Sequence, residues 1–276
     1  MITSCRFGLV VTAIVLSSAA GAWAQPGRIV AVGDEWTISN SAFDAHPGSA
    51  AQLVSNMGDF LTGGAASDIA IFSNHPRISG SQSTDYRSTL VGDGHSLTLN
   101  PAAGYSLATL QSYDVVIIGG RLNGNVAPDP SVLTAYVAGG GNVLLLTGTG
   151  TYGDAFGENA QWDPFLVNYG LRLSTDFFPS TSNVVVPFDA TPHPVGTGVS
   201  ALLWGFGQNV METNPADPFT DVLTADFSGF PNRGHETIIG TFMVPAPGGV
   251  MFAAACCTLA GRRRRTKGGV LEPAPR

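Results

Sequence analysis

Two short runs of consecutive apolar residues, Val115–Ile118 and Val143–Leu146, constrain the fold of this chain more than any other feature. A strand with one face in water alternates apolar and polar residues, and these two runs do not alternate. Both are therefore expected to be covered on both faces, as in a parallel sheet between layers of helices. The segment between them begins with Pro130 and ends before Gly139-Gly140-Gly141, which is typical of a crossover helix.

Strand and helix patterns alternate along most of the chain before Leu173. Strand-like runs lie at 28–32, 68–72 and 95–99, and helical apolar spacing or turn signals lie at 49–61, 85–91, 107–112 and 160–169. The alternation predicts an α/β fold, a doubly wound and mostly parallel sheet with helices on both faces. Shorter runs in the C-terminal third predict extra strands, some antiparallel, at 184–186, 202–204, 221–223 and 237–242.

The N-terminal segment has the three parts of a secretory signal peptide. Arg6 supplies positive charge, residues 7–20 form an apolar run, and Ala22-Trp23-Ala24 is a small-x-small cleavage site. We expect residues 1–24 to be a signal helix that the general secretion machinery recognises, with the mature chain starting at Gln25. The alternative is an uncleaved anchor helix.

The C-terminal segment has the order of a membrane-stop signal. Val244-Pro245-Ala246-Pro247 precedes an apolar run at 250–260 and the arginine cluster 262–265. Arginines are costly to move through hydrocarbon and stay on the cytoplasmic side. Residues 238–260 are long enough to cross a bilayer of about 30 Å. Prolines and glycines interrupt this stretch, however, so that the continuous apolar part covers about half a span.

This tail resembles the PEP-CTERM sorting signal of exported bacterial proteins. The residues that carry the resemblance are Val244, Pro245, Pro247, Arg262, Arg263, Arg264 and Arg265. The resemblance implies that residues 242–276 anchor the protein transiently in the inner membrane. It also implies that an exosortase-like membrane protease then removes the tail near Val244-Pro245-Ala246-Pro247, which we call the hinge. The protein would then remain at the cell surface or outside the cell. Two features depart from the pattern: Ala246 stands in place of the usual glutamate, and the chain continues beyond the arginines to Arg276.

The body between these ends, residues 25–241, is acidic and lacks cysteine and lysine. Its 19 acidic residues against six arginines give a formal charge of −13, which argues against nucleic-acid binding. The three cysteines lie outside the body, at positions 5, 256 and 257. Disulfides, thiolate metal sites and cysteine nucleophiles are therefore excluded from the body, and its core must hold it together.

The body also resembles the flavodoxin-like domain of class I glutamine amidotransferases and their non-catalytic relatives. The resemblance lies in residues 113–120, a strand followed by Gly119-Gly120, and in residues 133–150, a helix and strand that end in Thr147-Gly148-Thr149-Gly150. Residues 191–195, with a His-Pro pair, add to it. In active members the turn after this strand carries the nucleophilic cysteine. Here Thr149 stands at that turn, so the resemblance implies a domain that has lost its nucleophile.

Thr149 is the candidate nucleophile if the turn retains catalysis. A threonine hydroxyl needs an adjacent base, for which His193 and His235 are the candidates. Glu236 follows His235 directly, and adjacent side chains on a strand point to opposite faces, so these two are not expected to form one relay. The alternative is that the glycines simply make a tight turn from strand to helix.

Polar residues also follow the predicted parallel strands, where α/β domains bind ligands. We predict a crevice for a sugar or a cation lined by Asp34, Glu35, His75, Arg121, Asn123, Thr149 and Tyr152. The alternative is that Asp34 caps a turn and that Arg121 pairs with it to stabilise the loops.

The sequence predicts neither a metal site nor a cofactor. Its five histidines lack the close spacing of zinc ligands, and no calcium-loop pattern is present. The glycines at 148, 150 and 153 match a dinucleotide fingerprint only superficially, because they follow the fifth strand and Asp154 and Glu158 would repel phosphate.

Together these features predict an exported, surface-sorted protein. Its amidotransferase-like domain is expected to be non-catalytic, with a binding or structural role in the cell envelope or extracellular matrix and extracellular polysaccharide as a partner. The alternative is a divergent secreted hydrolase that acts on polysaccharide or peptide at the strand-end crevice.

Overall fold

The computed structural model describes residues 27–178 and 183–243. The strands of this part of the chain are β1 (Arg28–Val32), β2 (Asp68–Phe72), β3 (Ser96–Leu99), β4 (Val115–Gly119), β5 (Asn142–Leu146), β6 (Leu171–Leu173), β7 (Val184–Pro187), β8 (Ala201–Trp204), β9 (Val210–Glu212), β10 (Thr220–Asp226) and β11 (His235–Met243). The α-helices are α1 (Asn40–Ala45), α2 (Pro47–Thr62), α3 (Thr84–Gly92), α4 (Leu107–Leu110), α5 (Pro130–Ala138) and α6 (Ala155–Leu166).

A seven-stranded sheet with the order β10-β11-β1-β5-β4-β2-β3 forms the centre of the fold. The five strands from β1 to β3 in this order are parallel. Strand β11 pairs antiparallel with β1, and β10 pairs antiparallel with β11. The predicted α/β fold with a mostly parallel sheet is therefore confirmed. The five parallel strands place their carboxyl ends at one edge of the sheet, which we call the carboxyl edge.

Helices pack on both faces of this sheet. On one face, Leu53 of α2 and Leu90 of α3 belong to the same buried cluster as Val30 of β1. On the opposite face, Trp162 of α6 is fully buried with Ile29. Since successive residues of a strand point to opposite faces, the neighbours Ile29 and Val30 enter different cores. This two-sided burial explains why the parallel strands are continuously apolar.

The C-terminal third adds the extra strands that the sequence predicts, and all of their pairings are antiparallel. Strands β10 and β11 extend the central sheet, and β6–β9 and β7–β8 form separate antiparallel pairs beside it. The sequence pattern missed β6 and β9, because strands of three residues are too short to show an alternation. It also missed α1, a helix of six residues.

The predicted helix at 160–169 begins too late and ends too late. Helix α6 starts at Ala155, because the Asp154 side chain accepts a hydrogen bond from Gly157 N at 2.7 Å and caps the helix. The α-helix ends at Leu166, and Val167–Tyr169 form a 3₁₀ turn before Gly170, which has a φ of 69°.

The predicted signal peptide, residues 1–24, lies outside the described residues. The tail predicted at 242–276 lies outside them from Val244 onward. Residues 238–243, which the sequence analysis counted in a candidate span at 238–260, belong to strand β11 of the central sheet. Among the helices of residues 27–178 and 183–243, none is both long and apolar enough to cross a membrane.

Candidate functional site: a buried carboxylate cluster

The loops that follow the parallel strands meet at the carboxyl edge. After β1, Glu35 N donates a hydrogen bond to the Thr147 carbonyl oxygen after β5, at 2.9 Å. The loop after β5 is joined to the loop after β4 by the Tyr152 hydroxyl, which donates to Gly120 O at 2.6 Å. The loops after β2 and β4 are joined by Asn74 N, which donates to Arg121 O at 2.7 Å. The structure therefore brings most of the predicted crevice residues to one place.

Glu158 occupies the centre of this place, although the sequence analysis did not assign it to the site. Its carboxylate accepts hydrogen bonds from Gly148 N at 2.9 Å and from Thr149 N at 3.3 Å. It also accepts from the Thr149 hydroxyl at 2.8 Å and from the Gln208 amide at 3.2 Å. Consecutive backbone N–H groups in a turn form a natural anion-binding nest. Here the protein fills that nest with its own carboxylate.

The turn that forms the nest depends on glycine. Gly148 and Gly150, on either side of Thr149, have φ values of 75° and 64°, which favour glycine. A Cβ atom on Gly148 would also lie 2.8 Å from the Gly33 carbonyl oxygen. These glycines make the tight turn of the alternative reading, and they bring the amides of residues 148 and 149 toward one acceptor.

Asp34 ties the loop after β1 to the loop after β8. One carboxylate oxygen accepts from Trp36 N at 3.0 Å and caps a 3₁₀ turn, Glu35–Ile38. The other oxygen accepts from Gly205 N. The predicted capping role of Asp34 is thus present, and the same side chain also holds a loop that is distant in sequence.

Glu35 forms the ion pair of the cluster. Its Oε1 atom lies 3.2 Å from Nη1 of Arg77, a residue of the loop after β2. The Arg77 guanidinium stacks on the Trp36 ring, with its central carbon 3.5 Å from the ring centroid. A cation over an indole ring is attracted by the π-electrons, more strongly when both groups are shielded from water. Arg77 therefore joins the loop after β2 to the loop after β1, through an ion pair with Glu35 and stacking on Trp36.

Burial of three carboxyl groups in one cluster raises their pKa values. Asp34, Glu35 and Glu158 are at most 1% exposed. Burial raises the pKa of Asp34 to about 7, against the opposing effect of the amides that bond to it. Burial also raises the pKa of Glu158 to about 7. The pKa of Glu35 lies well above its ordinary value because of burial and the adjacent Asp34, with Arg77 opposing both.

Several buried polar atoms of the cluster have no hydrogen-bond partner among the described residues. They are Glu35 Oε2, Gln208 Oε1, Arg77 Nε and His75 Nδ1. A buried acceptor without a donor is costly, and protonation of a carboxyl group supplies a donor. The lack of a donor for Glu35 Oε2 favours the protonated form of this carboxyl group, as its raised pKa does.

Arg121 stabilises loops, but not through the predicted pair with Asp34. Its Nε atom donates to Thr151 O at 3.1 Å, and its Nη1 atom donates to Asn125 O at 3.4 Å. The guanidinium lies over the Tyr152 ring, 4.9 Å from the centroid. The predicted ion pair is wrong, because carbonyl oxygens of the loops after β4 and β5 take the place of the carboxylate.

Two further predicted ligand residues differ in exposure. His75 is buried, and burial together with the nearby Arg77 lowers its pKa to about 4, so that the ring is neutral at physiological pH. Asn123 is exposed, on a short 3₁₀ segment after β4. Asn123 therefore lies at the rim, whereas the carboxylates lie beneath the surface.

The two candidate bases do not contact Thr149. His193 hydrogen-bonds with the Thr241 hydroxyl at 3.2 Å and borders a cleft with Arg28, at the edge where the parallel strands begin. His235 is exposed and forms an ion pair with Asp189 at 2.8 Å. The Thr149 hydroxyl bonds instead with Glu158 and Thr151. A relay from histidine to Thr149 is therefore wrong.

Sequence reasoning missed Arg77, Glu158 and Gln208. Arg77 lies two residues beyond the predicted His75, and the pattern gave no sign that it folds back onto Trp36. Glu158 lies one turn into α6, and the late predicted start of that helix hid its position. With the helix start at Ala155, Glu158 lies in the first turn of α6, within hydrogen-bond distance of the turn after β5.

Within residues 27–178 and 183–243, no group of three or more His, Cys, Asp or Glu side chains has an arrangement that could hold a metal ion. No protein-family model matches this chain, and no curated protein matches it either.

The raised pKa values predict that the folded state loses stability as the pH rises. The unfolded chain releases the protons of Asp34 and Glu158 near pH 4, whereas the folded chain keeps them until about pH 7. Stability is therefore highest in mild acid, falls between about pH 4 and 7, and levels off above the folded pKa values. Denaturant unfolding across this range measures the change.

Glu35→Gln tests whether the cluster causes this dependence. The substitution keeps an oxygen for Arg77, places an amide at the unpartnered Oε2 position and removes one buried charge. We expect the variant to exceed the wild type at pH 8 by about 1 kcal/mol or more in free energy of unfolding, with a shallower pH slope. Asp44→Asn, at an exposed position on α1, should follow the wild-type curve. Equal slopes for all three proteins would contradict the account.

Proposed function

We propose that this chain is an exported, surface-sorted protein whose α/β body is a non-catalytic relative of the amidotransferase-like fold. Its role is binding or structural, in the cell envelope or extracellular matrix. Export and sorting are supported by the signal-peptide pattern of residues 1–24 and by the hinge, apolar run and arginine cluster of residues 242–276. The doubly wound, flavodoxin-like classification is part of the proposal.

The occupation of the nest by Glu158 carries the non-catalytic part of the proposal. Acyl transfer needs backbone donors aimed at the position where an oxyanion develops. The amides of Gly148 and Thr149 stand at the turn where such donors would act, and both bond to the Glu158 carboxylate. An oxyanion at the same position would meet a carboxylate instead of free donors.

The state of Thr149 supports the same conclusion. Thr149 is 9% exposed, so that a substrate carbonyl has little access to its hydroxyl. The Thr149 hydroxyl donates its hydrogen bond to Glu158, whose pKa is raised to about 7. The same carboxyl group is the acceptor for the amides of the turn. This geometry fits a side chain that closes a turn better than it fits an activated nucleophile.

The rim of the carboxyl edge is the part of the body that we assign to binding. A shallow cleft of about 230 Å³ between the loops after β3 and β4 is lined by Phe72, Tyr105 and Asn123, among others. Aromatic rings and amides are suited to sugar rings and hydroxyls. Extracellular polysaccharide therefore remains the proposed partner.

Chemical rescue tests the self-occupied nest. We expect Glu158→Ala to be less stable than the wild type at pH 7, because it leaves the amides of Gly148 and Thr149 buried without an acceptor. Acetate should then bind in the vacated space and restore about 1 kcal/mol or more at 100 mM, seen as a rise in melting temperature. Sodium chloride at the same ionic strength, and acetate added to the wild type, are the controls. An equal response to acetate and chloride in the variant would remove the basis of the proposal.

Mass spectrometry of both termini tests the sorting part. When the full-length gene is expressed in a bacterium that has an exosortase-type protease, we expect a mature N-terminus at Gln25 and a C-terminus near the Pro245-Ala246-Pro247 hinge. Replacing all four of Arg262–Arg265 with glutamine should reduce C-terminal processing, because the stop signal is lost. Exported protein that still ends at Arg276 would instead indicate a permanent anchor.

A further inference from the structure

A cleft of about 620 Å³ lies at the edge of the sheet opposite the carboxylate cluster. We call it the amino-edge cleft. Its walls come from the end of α2, the turn before β8, the start of β10 and the end of β11. They include Phe60, His193, Pro194, Pro218, Phe219 and Met243. Aromatic rings and prolines thus form most of the apolar wall, and Arg28, Asp59 and Asp221 add charges.

Specific contacts fix two of the side chains that line the cleft. The rings of Phe60 and His193 lie 5.4 Å apart. Both ring nitrogens of His193 are engaged, since Nδ1 accepts from Val195 N at 3.2 Å and Nε2 bonds with the Thr241 hydroxyl at 3.2 Å. A binding surface with fixed side chains loses little entropy when it is occupied.

Two apolar side chains on the rim stay exposed in the described part of the chain. Phe219 is 40% exposed and Met243 is 42% exposed, and Met243 N donates to Phe219 O at 3.1 Å. Met243 is also the last residue of β11. The described part of the chain therefore ends at the rim of this cleft.

The next residues are Val244-Pro245-Ala246-Pro247. Proline has no N–H group, so Pro245 cannot extend the hydrogen bonds of β11 to its neighbours. A Pro-x-Pro sequence favours the polyproline II conformation, which binds in grooves lined by aromatic rings. In that conformation the four residues after Met243 would span about 12 Å, at about 3.1 Å per residue, and the segment carries no charge to desolvate.

We propose that residues 244–247 bind in the amino-edge cleft of the same molecule. The direct connection through Met243 gives the segment a high effective concentration, so that a weak contact is enough. The consequence of this contact rests on the proposed function, in which a protease processes the tail. A bound hinge would be shielded from that protease, and release from the cleft would expose it.

Thiol labelling of the full chain tests the contact without export or processing. Val244→Cys and Ala246→Cys are made separately in a background with Cys5→Ser, Cys256→Ser and Cys257→Ser, and alkylation rates are compared with those of free peptides of the same sequence. At least one position should react about tenfold more slowly in the protein. Phe219→Ala should abolish that protection, because it removes an aromatic wall, while Phe156→Ala, an exposed phenylalanine on α6, should leave it intact.

Three results would overturn the proposal. Both positions could react as fast as in the peptides, or the protection could survive Phe219→Ala in protein with a wild-type melting temperature. Protection that depends on protein concentration would identify a second copy as the donor of the segment. Thiol labelling tests only the contact between the hinge and the cleft. Mass spectrometry of the two termini tests sorting, so that a negative labelling result does not decide the proposed function.

Discussion

The bond between the Glu158 carboxylate and the turn after β5 is the interaction on which the carboxyl edge depends. In a parallel sheet the loops after the strands are brought to one edge, and their backbone donors need acceptors. Glu158 supplies these acceptors for Gly148 and Thr149 from the first turns of α6, and it binds Gln208 from the loop after β8. One side chain thus links the parallel core to the C-terminal strands.

This arrangement places more negative charge in the interior than the fold neutralises. Three buried carboxyl groups share one guanidinium, that of Arg77, which forms its ion pair with Glu35. Charges of like sign in a poorly solvated site cannot all remain ionised without cost, so protons take the place of counterions. The loops are consequently held by hydrogen bonds to buried carboxyl groups, in a packed arrangement and not around an open crevice.

The sequence was sufficient to predict the sheet and the meeting of the strand-end loops. Unbroken apolar runs such as Val143–Leu146 carry a strong signal, since burial on both faces leaves no polar position. Asp34 and Thr149 could be placed at the edge for the same reason, because parallel strands end together. The charge pairing could not be predicted. Whether Arg77 or Arg121 reaches a carboxylate depends on side-chain directions in loops, where no periodicity applies.

Burial was the second property that the pattern could not supply. The sequence pattern is the same for a polar residue that lines an open crevice and for one that is buried beneath a closed surface. Here the carboxyl edge is closed because Gly205 and Gln208 pack against the loop after β1. The two ends of the chain are the reverse case: their patterns carry a clear prediction, but they lie outside the described residues.

The most direct test of the account is a carbon-13 NMR titration of the carboxyl groups of Asp34, Glu35 and Glu158. We expect the midpoints of Asp34 and Glu158 to lie near pH 7 and that of Glu35 to lie well above its ordinary range. Midpoints near pH 4 for all three groups would contradict it, because they would show solvated carboxylates and therefore an open crevice at the carboxyl edge.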